Sequence, residues 1–312
     1  MPKLLILARR ADEYQEQVQK VSLPGLEYVA ASTVEEAAAV GAECEIVFGE
    51  PALIREVLPA LKHLRWVQAI WAGVEPLLDP SLRRDYILTN ARGVFGALMS
   101  EYVFGYLLLH ERRILDRMQA QKEHRWDGSI TGTLRGKTVG LLGVGSIGAH
   151  LAATAKYFGM TVRGYTRSSE DSPNVDTYYH GDDLLEFASG LDTLVSVLPN
   201  TSETRHIVDA SLLARLPRHA IFINVGRGSA VDEPALIEAL ESGNLAAAVL
   251  DVFQQEPLPE EHPFWTTPNL LMTYHTSAPS IPTDITAVFV DNYHRFINGQ
   301  ELKYQVDFER GY

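Results

Sequence analysis

Short apolar runs recur along the chain in two series, and most are followed by a stretch in which apolar residues return at helical spacing. In the first series the runs at 4–8, 27–31, 45–49, 66–70 and 87–90 read as strands, and 14–21, 34–40 and 53–64 read as helices. This βαβα alternation predicts an open α/β unit. The second series has strand candidates at 138–142, 161–165, 193–198, 221–225, 246–252 and 270–273, and 283–298 reads as a final helix. Helical stretches between most of these runs predict a doubly wound parallel sheet. Between the series, 97–122 reads as one long helix whose only interior break is Gly105, and its length suits a connection between domains.

The second series starts on T-V-G-L-L-G-V-G-S-I-G, residues 138–148. A β-rich apolar run, a G-x-G-x-x-G turn and a helical pattern from Ile147 form the strand, turn and helix that a dinucleotide pyrophosphate requires. Gly143 permits the tight turn, Gly145 lets the backbone approach phosphate, and Gly148 lets the helix pack closely on the strand. The N–H groups of Ser146 and Ile147 then face the anion. A purely structural βα turn is the bland alternative, and the flanking strand and helix weigh against it.

Composition narrows this picture. At 312 residues and 46% hydrophobic content the chain can form about two domains with substantial cores. A formal net charge of −13 argues against nucleic-acid or anionic-membrane binding, so any anionic ligand must be caught by locally placed arginines. No apolar run approaches the roughly 18 residues of a membrane span. Residues 1–8 are too short for a signal peptide, so cytoplasmic residence is the default expectation. The single cysteine, Cys44, excludes an internal disulfide and reads as a core residue. No cysteine or histidine cluster offers a metal site.

About 20 residues beyond the glycines, a dinucleotide fold commonly places an acid that binds the ribose hydroxyls. Here the sequence is Tyr165-Thr166-Arg167-Ser168-Ser169, with an arginine beside the missing acid. Arg167, with the Thr166 and Ser168 hydroxyls as further donors, would pair a 2′-phosphate and favour NADP, with NAD still possible. An ordinary solvated arginine is the alternative. Downstream, Arg227 follows one strand between Gly226 and Gly228, Asp251 ends the next with Glu256 beyond it, and His275 ends the last. Singly, each has a bland reading. Together they fall on strand ends that face the ligand crevice of such a sheet.

From about residue 65 to the end the chain resembles the D-isomer-specific 2-hydroxyacid dehydrogenases, and within them the bacterial glyoxylate/hydroxypyruvate reductases. The residues that carry the resemblance are G-V-G-S-I-G, L-P-N-T-S-E-T at 198–204, N-V-G-R-G at 224–228, D-V-F-Q-Q-E-P-L-P at 251–259 and the terminal Q-V-D-F-E-R-G-Y. The resemblance implies two Rossmann-like or flavodoxin-like α/β domains with parallel sheets and an active site in the cleft between them. The substrate-binding domain would be discontinuous, 1–96 plus 284–312, and the dinucleotide-binding Rossmann domain would span 97–283. Arg227 would bind the substrate carboxylate and carbonyl, His275 would be the acid/base, and Glu256 would orient and charge it.

Trp71, Ala72, Gly73 and Val74 would form the substrate loop, its backbone donors meeting the carboxylate. Trp71 either lines the pocket or belongs to the core. The cofactor would meet the glycine turn, Leu198, Pro199, Thr204, Val225, Gly226, Asp251 and His275. Two departures concern loop shape: Tyr274 stands where the family often has proline, and Glu75 displaces its usual acid near the carboxylate loop. The expected activity is NADPH-dependent reduction of small 2-keto acids by a homodimer. The alternatives are a dehydrogenase for a bulkier D-2-hydroxy acid and a nucleotide-sensing, corepressor-like interaction protein.

Overall fold

The computed structural model describes residues 2–311, so Tyr312 of the terminal motif lies outside it. Among those residues no helix is long and apolar enough to cross a membrane. Contacts divide the chain into one unit running to Val94 and resuming at Ser280, and a second from Phe95 to Pro279.

The first unit contains β1 (Lys3–Leu7), α1 (Ala11–Val21), β2 (Glu27–Ala31), α2 (Val34–Val40), β3 (Ile46–Gly49), α3 (Pro51–Val57), β4 (Trp66–Ala69) and β5 (Ile87–Thr89). The sheet order is β2-β1-β3-β4-β5, all parallel, which is the flavodoxin-like arrangement. Both faces of such a sheet are covered, so β1, β3 and β4 are almost wholly buried. The helix expected over 53–64 is shorter: it ends at Val57, and Pro59 sits in a separate 3-10 turn, Leu58–Ala60. Proline lacks the N–H that would continue the ladder. The last helix of the chain returns to this unit. Its Phe289 stacks on Phe48 and Trp66 at 4.7 and 5.3 Å. From the same helix Asn292 donates to Gln68 Oε1 at 3.0 Å, keeping a fully buried polar pair satisfied.

The second unit begins with α4 (Gly96–Glu111) and α5 (Ile114–Lys122). The single long helix expected over 97–122 is thus two helices. Gly105 lies inside α4, and the break falls at Arg112 and Arg113, where Arg113 adopts a left-handed φ of 50°. Its guanidinium secures the new start by donating to Asp116 at 2.9 Å.

There follow β6 (Thr138–Leu142), α6 (Ser146–Tyr157), β7 (Thr161–Tyr165), β8 (Thr177–Tyr179), α7 (Leu184–Ala188), β9 (Thr193–Ser196), α8 (Ala210–Arg215), β10 (Ile221–Asn224), α9 (Glu233–Glu241), β11 (Ala247–Leu250) and β12 (Leu270–Met272). The helix that returns to the first unit is α10 (Pro282–Ile297). The order β8-β7-β6-β9-β10-β11-β12 is parallel throughout and reverses direction of growth between β6 and β9. That reversal is the switch point at which doubly wound sheets bind nucleotides. Strand β8 has no counterpart in the sequence reading, because three residues flanked by polar turns are too short to show a period.

Candidate active site

All the strand-end residues of the second unit emerge at the carboxyl edge of one parallel sheet. After β6, Gly143 has a φ of +96°, closed to most side chains, and a Cβ on Gly148 would lie 2.2 Å from the Gly143 carbonyl oxygen. A Cβ on Gly145 would meet nothing within 4 Å. Gly145 is the N-cap of the twelve-residue α6 and supplies no side-chain cap. The turn is therefore tight where helix meets strand, and open over the N–H groups of Ser146 and Ile147. Those groups fit an anion such as a pyrophosphate.

At the end of β7, Thr166 is nearly buried and its hydroxyl donates to the Ser169 carbonyl at 2.8 Å, closing a small turn that exposes Arg167 and Ser168. Arg167 forms an ion pair with Glu203 on the loop after β9. In that loop the Thr204 hydroxyl donates to the Pro199 carbonyl at 2.6 Å. Gly226, next to Val225, approaches the backbone of Leu198 so closely that a Cβ would sit 2.7 Å from its N and O atoms. Gly228 is likewise confined, with a hypothetical Cβ 1.9 Å from the Phe253 carbonyl carbon. The two glycines of N-V-G-R-G thus let the β10 loop nest between its neighbours. Asn224, for which the sequence motif alone implies no role, fixes that loop by donating to the Arg227 carbonyl at 3.0 Å and accepting from the Gly226 N–H at 3.1 Å.

Arg227, Glu256, Asp251 and His275 come together. His275 Nδ1 lies 2.8 Å from Glu256 Oε2, and Glu256 Oε1 accepts the Phe253 N–H at 3.0 Å. The hydrogen bond to Glu256 holds the His275 pKa above its ordinary value, against burial and the charge of Arg227, with Asp251 adding to the rise. For Glu256 burial pushes the carboxyl up, but the bonds from His275 and Phe253 and the charges of His275 and Arg227 leave it below the usual range. The pairing therefore favours a carboxylate beside an imidazolium. Nδ1 is committed to Glu256, which leaves Nε2 as the nitrogen for proton exchange.

His275 has a φ of +57°, an uncommon conformation for a residue with a side chain. It is held there by Asp251, which is fully buried and accepts the N–H groups of Thr276 and Ser277 at 2.8 and 3.0 Å. The Thr273 hydroxyl also donates to Asp251 at 2.5 Å and meets the Tyr102 hydroxyl at 2.7 Å. Sequence reasoning missed Thr273 and Tyr102, since no local spacing connects α4 to the end of β12.

In the first unit Trp71 follows β4 and is half-buried, Ala72 is exposed, Gly73 is half-buried and Val74 lies in the core. Asn90 shapes this loop by donating to the Ala72 carbonyl at 2.8 Å. It too was missed as a site residue, though it closes the apolar run at 87–90.

Residues 104–277 match the family described as D-isomer specific 2-hydroxyacid dehydrogenase, NAD binding domain. The chain belongs to this family. It is 34% identical over 258 residues to glyoxylate/hydroxypyruvate reductase A of Klebsiella pneumoniae subsp. pneumoniae, covering 80% of this chain and 83% of that one. Its fold is similar to a crystal structure of a D-isomer specific 2-hydroxyacid dehydrogenase family protein from Aeromonas salmonicida subsp. salmonicida. The TM-score is 0.94 at 43% identity over 98% of this chain and 99% of that one. It is also similar, with TM-score 0.88 and 29% identity over 100% of both chains, to the NADPH-dependent glyoxylate/hydroxypyruvate reductase of Sinorhizobium meliloti, solved with NADP and sulfate. Family membership makes the chain an oxidoreductase of the 2-hydroxyacid dehydrogenase type.

Proposed function

We propose that this chain reduces small 2-keto acids, glyoxylate and hydroxypyruvate foremost, with NADPH as the preferred cofactor. The observation that carries the reading is the 2.8 Å contact between His275 Nδ1 and Glu256, because the carboxylate favours the doubly protonated ring that can give up a proton. When bound, the reduced nicotinamide supplies the hydride for the 2-keto carbon.

The chain's own residues do the rest. Arg227 grips the substrate carboxylate through parallel hydrogen bonds and offsets charge that develops on the carbonyl oxygen. His275 delivers a proton from Nε2 to that oxygen, a contribution of roughly 10²- to 10⁴-fold. In the first unit, the backbone N–H groups of Ala72, Gly73 and Val74 receive the carboxylate. The glycine turn and the residues after β7, β9 and β10 hold the cofactor.

Arg167 supports the preference for NADPH. Its ion pair with Glu203 is exposed, 53% and 67% for the two side chains, and such pairs contribute at most about 1 kcal/mol. Charge-assisted bonds from a guanidinium to phosphate are stronger, about 1.5–3 kcal/mol, so a 2′-phosphate outcompetes Glu203. The homodimer expected from the resemblance is part of this reading, with the exposed Ile114, Leu115 and Met118 of α5 as apolar surface for it. Sedimentation as a monomer would overturn that part.

The test is the rate of cofactor oxidation with glyoxylate, hydroxypyruvate and bulkier 2-keto acids, each with NADPH and NADH. The expected result is the highest kcat/KM for the two small acids with NADPH. Turnover of only the bulkier acids, or cofactor binding without turnover of any, would overturn the proposal.

A further inference from the structure

His180 follows β8 and faces the turn that carries Arg167 and Ser168. Its Nδ1 lies 2.9 Å from the Thr166 carbonyl oxygen and its Nε2 lies 2.8 Å from Glu170 Oε1. Both partners are acceptors only. A neutral imidazole has a single N–H, so in that form one of the two contacts would set lone pair against lone pair. The imidazolium alone donates to both. The Thr166 hydroxyl, 3.2 Å from Nδ1, offers no substitute, because it already donates to the Ser169 carbonyl at 2.8 Å.

We propose that His180, doubly protonated, holds the 166–170 turn in the shape in which Arg167 and Ser168 receive the cofactor's 2′-phosphate, so that its charge sets the preference for NADPH over NADH. The inference rests on the reading that Arg167 meets that phosphate. The titratable groups that face the ring are Glu170, from the turn itself, Asp183, from the 3-10 turn after β8, and Tyr178 of β8, whose ring stacks on it at 6.4 Å; the two carboxylates favour the cation. The Glu170 bond leads in holding the His180 pKa above its ordinary value, with the Thr166 carbonyl next and burial opposing. Beyond the turn, the Tyr178 hydroxyl accepts the Ser172 N–H at 3.0 Å. Within the segment that carries Arg167 and Ser168, the Thr166–Ser169 bond closes the turn and His180 ties its two ends, Thr166 and Glu170, together.

The sign follows from the raised pKa. Below it both bonds are made and the turn is closed; as pH rises through it one bond is lost, the turn loosens, and NADPH binding weakens while NADH binding does not. The 2′-phosphate itself gains charge near pH ~6, which acts in the opposite direction and cannot produce a decline at higher pH. Titration of His275 affects both cofactors and cancels in their ratio.

The experiment measures the dissociation constants of NADPH and NADH by fluorescence from about pH 6.5 to about pH 9, across the histidine range. The wild-type preference for NADPH should fall about three- to tenfold, the effect of losing one ordinary hydrogen bond at this exposed turn. His180→Gln keeps a donor but cannot change charge, so its preference should be lower and should not fall over the same range. Imidazole NMR of the cofactor-free protein should show two protonated nitrogens on His180 at neutral pH. A flat or rising wild-type ratio, a His180→Gln profile that follows the wild type, or a neutral His180 ring at pH 7 would each overturn the inference. Arg167→Ala separates the two levels: if it abolishes the preference while His180→Gln changes nothing, only the role of His180 fails. If Arg167→Ala leaves the NADPH to NADH ratio intact, the underlying phosphate contact fails and the inference with it. Should His180→Gln not fold, the wild-type profile and its NMR titration decide the matter.

Discussion

The main-chain N–H of His275 donates to the carbonyl of Asp251 over 2.7 Å, joining the ends of β12 and β11 at the candidate proton donor. The same aspartate receives Thr276 and Ser277 through its carboxylate, so one buried residue determines the backbone on both sides of a left-handed histidine. Without those bonds the φ of +57° would relax, since it costs about 1–2 kcal/mol for a residue with a Cβ.

Asp251→Asn tests that relationship. Three donors converge on two carboxylate oxygens, and an amide offers one oxygen and a competing NH₂. At least one buried donor is then left unmet, at a cost of about 1–3 kcal/mol. Urea unfolding should show that loss, and kcat should drop as well because His275 is displaced. Wild-type stability with wild-type kcat would mean that Asp251 does not anchor the site.

Glu256→Gln should shift the pH dependence of reduction. The Glu256 contact raises the His275 pKa, and reduction needs the protonated ring, so activity persists up to that raised value. Glutamine can still accept a hydrogen bond but has no charge, so the alkaline fall in kcat/KM should move to lower pH. Oxidation of the 2-hydroxy acid needs neutral His275 and should shift in the same direction, gaining rate at lower pH. An unmoved profile, with a deuterated-cofactor isotope effect confirming that chemistry limits the rate, would remove Glu256 as the partner of His275.

Arg167→Ala should lower kcat/KM with NADPH by about ten- to a hundredfold, the equivalent of one charge-assisted phosphate contact, and leave NADH nearly unchanged. Equal losses with both cofactors would show that Arg167 supports the fold rather than the phosphate.

Trp71→Ala addresses substrate size. Trp71 is half-buried at the end of β4, directly before Ala72-Gly73-Val74. If its indole excludes long side chains, truncation raises kcat/KM on bulkier 2-keto acids relative to glyoxylate. A uniform loss, or a lowered Tm without a change in selectivity, would assign the ring to packing.

The sequence alone was enough to show what depends on near neighbours. The alternation of apolar runs and helical stretches is local, so strands such as Glu27–Ala31 and Thr161–Tyr165 were legible to the residue. The glycines at 143, 145 and 148 were legible because only they allow the turn, and the arginine at 167 because its position follows from the glycine count. Boundaries inside a continuous helical pattern were less secure: Pro59, a local breaker, cut α3 short, and the left-handed Arg113 divided the long helix.

Tertiary structure decided what depends on residues brought together by crossovers. Strand β9 lies beside β6, which is distant in sequence; with right-handed crossovers this reversal of order is what covers both faces of the sheet with helices. Beyond the reversal, successive parallel crossovers set the β10, β11 and β12 ends side by side, and only then does Asp251 meet the backbone of 275–277 while Glu256 reaches His275. The pairing of His180 with both Thr166 and Glu170 arises in the same way, through β8, a strand too short for its period to be read. Residue identities fixed which groups could exchange protons or bind anions; the parallel sheet fixed which of them share an edge, because hydrogen-bonded register, not sequence distance, determines what a strand end faces.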